Sequence, residues 1–234
     1  MLVKRRYSKG MAQIRKDPLV NNHYYHVFSR SIAKYVLFSD QEDYDRFYQL
    51  LDFYRFIDFN YKYSHFLVLT TSNKEEIRNE ITIRNDRHVD MVAYCLMPTH
   101  IHLILKQVKD GGISKYMSRV LNSYSRYFNT KHGRIGPLWS GRFKSVLIDH
   151  DEQLLHITRY IHLNPTSANL IDKPENWPSS SYNEYIGECD NRLCRFGNIV
   201  DMSTTEYKKF TENQKDYQRN LSIIKYLTIE KYSG

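Results

Sequence analysis

The 234 residues are 41% hydrophobic and 14% aromatic, with 20 tyrosines, a formal net charge of +8 at pH 7 and a pI near 9.2. That content supports a substantial core, and the basic balance favours a polyanionic partner such as nucleic acid. Three cysteines (Cys95, Cys189 and Cys194) with no CxxC pair make a poor disulfide framework, no apolar run reaches membrane-span length, and the basic start at Lys4, Arg5, Arg6 and Lys9 has no apolar stretch behind it to make a signal peptide. A soluble cytoplasmic chain is the default expectation.

Residues 1–20 read as a basic arm, with Pro18 near its end, that can touch phosphates or serve as a disordered leader. Asn22 to Arg30 alternates aromatic and polar residues as a strand does. Ser39 or Asp40 caps a helix from about Gln41 to Ile57, with Tyr44, Phe47, Leu51 and Tyr54 at helical spacing. Residues 58–88 read as an insertion, with an apolar strand from Ser64 to Thr71 and a short charged helix from Lys74 to Ile83. Val89 to Met97 is a strand that turns at Pro98-Thr99 into the run His100 to Leu105.

That run organises the chain. Alternate side chains of a strand share a face, so Ile101, Leu103 and Leu105 read as core while His100, His102 and Ile104 point the other way. Two imidazoles side by side are a candidate site for a divalent cation; a solvated polar pair is the other reading, and spacing alone leaves both open.

After Gly111-Gly112 a helical stripe appears, formed by Ile113, Tyr116, Met117, Val120, Leu121, Tyr124 and Phe128, and it breaks before Gly133. Lys131, His132, Arg134 and Gly136-Pro137 form a loop leading to a strand in which Arg142 and Lys144 share a face. Asp149 with Glu152 forms a capping-box pattern for a helix over about 150–163, which Pro165 should stop at Asn164. On that helix Leu154, Ile157 and Ile161 face inward, and Gln153, His156, Tyr160 and Asn164 form a polar stripe beside them. Tyr160 at the edge of that stripe is a candidate nucleophile or a packing residue. Trp177 to Tyr182 starts another short helix ending near Gly187, and a polar, Lys-rich tail follows.

Tyr94 to His102, Gly136 to Ser145, Arg159 to Pro165 and Trp177 to Tyr182, in this order, resemble the motifs of the REP-associated tyrosine transposases, a family of the HUH (single-tyrosine) transposase type. The resemblance covers about residues 22–187 and implies a catalytic domain over 21–187; the basic arm over 1–20, the insertion over about 58–88 and the polar extension over 188–234 lie outside what it explains. It implies an α+β fold, a ferredoxin-like antiparallel sheet with helices packed on one face. It implies Tyr160 as nucleophile, His100, His102 and Asn164 as ligands of Mg²⁺ or Mn²⁺ with His156 as the competing third ligand, and single-stranded or hairpin DNA as substrate. It further implies a nucleoid-associated monomer or homodimer that cleaves and rejoins DNA through a 5′-phosphotyrosine. Relatives usually carry Asn where Thr99 stands. Arg126, Lys131, Arg134, Arg142 and Lys144 form the basic, aromatic-interleaved surface suited to a single strand. The alternatives are a relaxase- or initiator-like nickase and a domesticated DNA-binding protein without catalysis.

Overall fold

The computed structural model describes residues 17–56, 62–189, 193–197 and 201–213. Most of the basic arm, 1–16, and the end of the tail therefore lie outside the described residues. The elements run β1 (Tyr24–Arg30), α1 (Gln41–Phe53), α2 (Tyr63–Leu67), α3 (Thr71–Arg84), β2 (Val89–Met97), β3 (His100–Gln107), α4 (Gly112–Lys131), β4 (Lys144–Ile148), α5 (Asp151–Ser167), α6 (Tyr182–Tyr185) and α7 (Thr204–Glu212). Four strands form one sheet in the order β2-β3-β1-β4, and every pairing is antiparallel. With α1 and α4 as the two crossovers, this is the split βαβ arrangement of ferredoxin-like folds.

The two strand faces divide the core. Tyr25, Val27, Ile101, Leu103, Leu105, Tyr94 and Leu96 pack under α1 and α4, whose apolar stripes are buried as their spacing predicts. Ala93, Cys95, Met97, Ile104 and Ile148 face the other way, under Leu154, Ile157 and Ile161 of α5. The α+β class and antiparallel sheet are as expected, but the helices cover both faces rather than one. The reason is visible in β2, where nearly every residue is buried; a strand apolar on both sides needs cover on both. A bulge between Met91 and Ala93 keeps the alternation in step with both layers.

Three local expectations change. Ser64 to Thr71 is not a strand: α2 turns Tyr63 and Phe66 into the core three residues apart, and α3 begins at Thr71 with the Thr70 hydroxyl accepting from Asn73 N. A short apolar run cannot be assigned by periodicity alone. The α5 helix starts on His150, with no side-chain cap; the Asp149 amide instead donates to Gln153 Oε1 at 2.8 Å. Nor does Pro165 end α5, which continues to Ser167. In a last turn a proline forfeits one hydrogen bond, and Ala168 and Leu170 amides still close on Asn164 and Pro165 carbonyls at 3.0 Å.

The tail is also more than a polar extension. A Ser203–Glu206 capping box starts α7, and Tyr207 inserts fully into the α5 side of the core. Tyr25 ties down the other end of the described chain, its hydroxyl donating to Pro18 O at 2.8 Å and accepting from Val20 N at 2.7 Å.

Candidate active site

The β2–β3 hairpin places Met97 opposite His100, so its loop is Pro98-Thr99 alone. The turn is held from outside, because Ser31 N donates to Thr99 O at 2.9 Å and Leu37 N to Pro98 O at 2.6 Å. His100 and His102 then project onto the α5 face at the end of the sheet, their rings edge to face with centroids 5.0 Å apart. Cross-strand register sets Phe28 opposite His102 and Arg30 opposite His100 on β1. Those two positions, with His26, share the histidine face.

From above, α5 lowers Tyr160 and Asn164, one turn apart, onto this surface. The Tyr160 ring meets His102 edge to face at 5.7 Å and His26 at 6.3 Å. The Asn164 amide nitrogen lies 3.4 Å from His102 Nε2, and the same amide hydrogen-bonds to His100. The structure thus brings His100, His102, Tyr160 and Asn164 together. His156 is elsewhere: it lies 3.8 Å from Glu152 and packs its ring on Phe210 at 5.7 Å. Between the two candidate third ligands, Asn164 is the one beside the histidines.

Both imidazoles are biased to the neutral form. Burial pushes His100 down to about 4, with the Asn164 hydrogen bond opposing and the Arg30 charge adding. Burial likewise lowers His102 far below the usual imidazole value, and His100, His26 and Arg30 add to the shift. Neutral imidazole is the ligating form. His100 engages Thr99 Oγ1 at 3.2 Å through Nδ1, and His102 engages His26 Nε2 at 2.9 Å through Nδ1. Each Nδ1 therefore has a partner, and for His102 the Nε2 edge is the one that meets Asn164. Turning the Asn164 amide about its last torsion brings Oδ1 to the same point. Two neutral imidazoles and an amide oxygen fit a divalent cation. Among the described residues no group of three His, Cys, Asp or Glu stands together in that way.

The helix is oriented by its other side. His162 is fully buried, with Nδ1 2.7 Å from Tyr207 OH and Nε2 2.8 Å from Ser181 Oγ. Ser181 Oγ in turn accepts from Tyr94 N on β2 at 3.0 Å. Arg159 is buried, donates to Asn213 O, and lies 4.8 Å over the Phe210 ring. Burial drives the His162 pKa down to about 3.

The predicted phosphate-binding residues scatter. Arg142 and Lys144 are exposed; Lys144 lies opposite Phe28 of β1 and senses Arg30 as a like charge. Arg134 lies on the neighbouring rim, its guanidinium 4.3 Å over the Tyr35 ring, next to a fully exposed Ile135. Arg126 is exposed on α4, on the opposite face of the sheet. Lys131 is already committed: its ammonium sits 2.8 Å from Asp40 and Asp43 and 3.4 Å from Glu42, which raises its pKa. Sequence reading missed His26 and Arg30. The period-two alternation of β1 puts both with Phe28 on one face, but only the register with β3 shows which face that is.

Residues 54–164 match the family described as "Transposase IS200 like". A putative REP-associated tyrosine transposase of Haemophilus influenzae is 28% identical over 107 residues, which are 42% of this chain and 61% of that protein. The alignment thus spans less than two thirds of that relative's length. The REP-associated tyrosine transposase of Escherichia coli is 21% identical over 140 residues, 59% of this chain and 82% of that one. A solved REP-associated tyrosine transposase bound to a REP hairpin aligns at 16% identity and a TM-score of 0.49, covering 83% of this chain and 96% of its own.

Proposed function

We propose that this chain, similar through residues 54–164 to the IS200-like transposases, cleaves and rejoins single-stranded DNA with Tyr160 as nucleophile. The observation that carries the reading is the meeting of Tyr160 and Asn164 from α5 with His100 and His102 from β3, on one face of the sheet.

In the reaction, the deprotonated Tyr160 oxygen attacks the scissile phosphorus and the P–O3′ bond breaks. The electron pair leaves on the 3′ oxygen, which takes a proton, and the 5′ phosphate stays on Tyr160 as a diester. Attack by a 3′-hydroxyl on that diester reverses the step and needs no ATP, because the bond energy is kept. His100, His102 and Asn164 are the residues that would hold Mg²⁺ or Mn²⁺, and two imidazole donors favour the softer Mn²⁺. When bound, the ion supplies charge neutralisation and in-line orientation at the scissile phosphate.

Arg30, Arg142 and Lys144 bind backbone phosphates beside the histidines. Arg134 stacked on Tyr35, with exposed Val36 and Ile135, gives unpaired bases a partly apolar cationic rim. A duplex would keep its bases out of reach of that rim, so the substrate is single-stranded at the site of cleavage.

The test is a denaturing gel of the protein incubated with end-labelled single-stranded hairpin DNA and Mn²⁺. Wild type should give a covalent adduct, lost in Tyr160→Phe and reduced by chelator. An adduct of equal yield in Tyr160→Phe, or none in wild type, overturns the proposal.

A further inference from the structure

His26 has no part in the chemistry above, yet it is fully buried, its Nε2 lies 2.9 Å from His102 Nδ1, and the two rings stack with centroids 5.2 Å apart. Phe28 packs against both rings, at 5.1 Å from His26 and 6.3 Å from His102, and Tyr160 closes on His26 at 6.3 Å. Two neutral imidazoles joined this way share one hydrogen-bonding proton, and its location has two solutions.

If the proton belongs to His26 Nε2, His102 accepts through Nδ1 and must carry its own proton on Nε2. The edge that meets Asn164 is then a donor and cannot ligate. If the proton belongs to His102 Nδ1, His26 is the acceptor and His102 Nε2 presents a lone pair. Only the second solution makes His102 a ligand.

We propose that His26 is a positioning residue that holds His102 in its Nδ1–H tautomer, leaving Nε2 free to bind a divalent cation. Metal-bound histidines normally have this service from a carboxylate, a backbone carbonyl or water. Here a neutral imidazole does it, without burying an anion in an apolar layer. His26 also sits against Tyr160, so one side chain fixes the plane of the ligand and borders the nucleophile. The inference rests on the cation reading of the proposed function.

The test compares wild type, His26→Gln and His26→Phe, without DNA. Gln supplies an oxygen that can only accept along this contact; Phe keeps the bulk and removes the acceptor. Mn²⁺ binding is read by electron paramagnetic resonance of the free ion, folding by circular dichroism, and the His102 tautomer by long-range ¹H–¹⁵N correlation in the metal-free wild type. The expected result is a His102 Nδ1–H tautomer, affinity about 10–100-fold weaker in His26→Phe, and recovery to within a few-fold of wild type in His26→Gln. A folded His26→Phe that binds Mn²⁺ as wild type does overturns the inference and spares the cation reading; a wild-type His102 protonated on Nε2 overturns the inference, and the cation reading then stands only if wild type still binds Mn²⁺. Wild type that binds no Mn²⁺ overturns both. Should His26→Phe fail to fold, the wild-type tautomer and the His26→Gln affinity still decide it.

Discussion

Acid should loosen the helix that carries Tyr160, and His162 sets how steeply. Its ring is fully buried between Tyr207 OH and Ser181 Oγ, and burial lowers its pKa from 6.5 to about 3. Above pH 6.5 the ring is neutral whether the chain is folded or not, and the contribution is complete. Below 6.5 the unfolded chain takes up a proton that the folded ring refuses, so stability is lost progressively until the pH reaches the folded value. The linkage relation gives a loss of about 2 kcal/mol between pH 7 and pH 5, reaching ~4 kcal/mol near pH 3. His100 and His102, also held neutral, push the same way, so the His162 share is isolated by comparison with His162→Gln. Urea unfolding of both proteins at pH 7, 6 and 5 is the assay. Wild type should lose about 2 kcal/mol more than the variant over that range. Parallel stability profiles would refute the reasoning, because they would mean that His162 is protonated in the folded state.

Tyr207→Phe removes one hydroxyl and no bulk, leaving His162 Nδ1 without that partner; a cost of about 1–3 kcal/mol should appear in thermal melts. Lys131→Ala should lower the melting temperature, reflecting a loss of about 1 kcal/mol of stability after solvent screening of the partly exposed ammonium. DNA affinity should not change with it, because Lys131 serves the fully buried carboxylate of Asp43. The double variant Arg142→Ala, Lys144→Ala should flatten the salt dependence of single-strand binding by about 1.4 in log–log slope, measured by fluorescence anisotropy. Gly112→Ala should destabilise by about 1–3 kcal/mol, since its Cβ would meet the His88 carbonyl oxygen at 2.3 Å; an unchanged urea midpoint would show that the α4 start can shift.

What the sequence made legible is what periodicity encodes. The His100/His102 face follows from period two, and the Tyr160–Asn164 stripe from the helical repeat; both landed where the spacing put them. What it hid depends on partners distant in the chain. His26 and Arg30 join the site through strand register, which no local pattern carries. Lys131 looked like a phosphate ligand because a lysine at the end of α4 shows no sign in sequence of the carboxylates about ninety residues upstream that hold it. The start of α7 did carry a signal, the Ser203–Glu206 capping box, but its anchoring aromatics, Tyr207 and Phe210, stand in a sequence stretch that is otherwise polar and charged. The α2 segment could not be read because it is too short for a helical period to show.

The site depends on a rotation as much as on a set of residues. Successive residues on α5 are turned by about 100°, so a slip of one position would carry Tyr160 and Asn164 away from the histidines together. The slip is opposed from the other side of the same helix. Arg159 and His162 bracket Tyr160 in sequence and engage Asn213 O, Tyr207 and Ser181. On the sheet, His102 is steadied by His26. The matched family region ends at Asn164 and begins after β1, so His26, Ser181, Tyr207 and Asn213 all lie outside it. The segment from Tyr54 to Asn164 supplies the four groups that meet at the site, and β1, α7 and the turn before α6 fix the angles at which they meet.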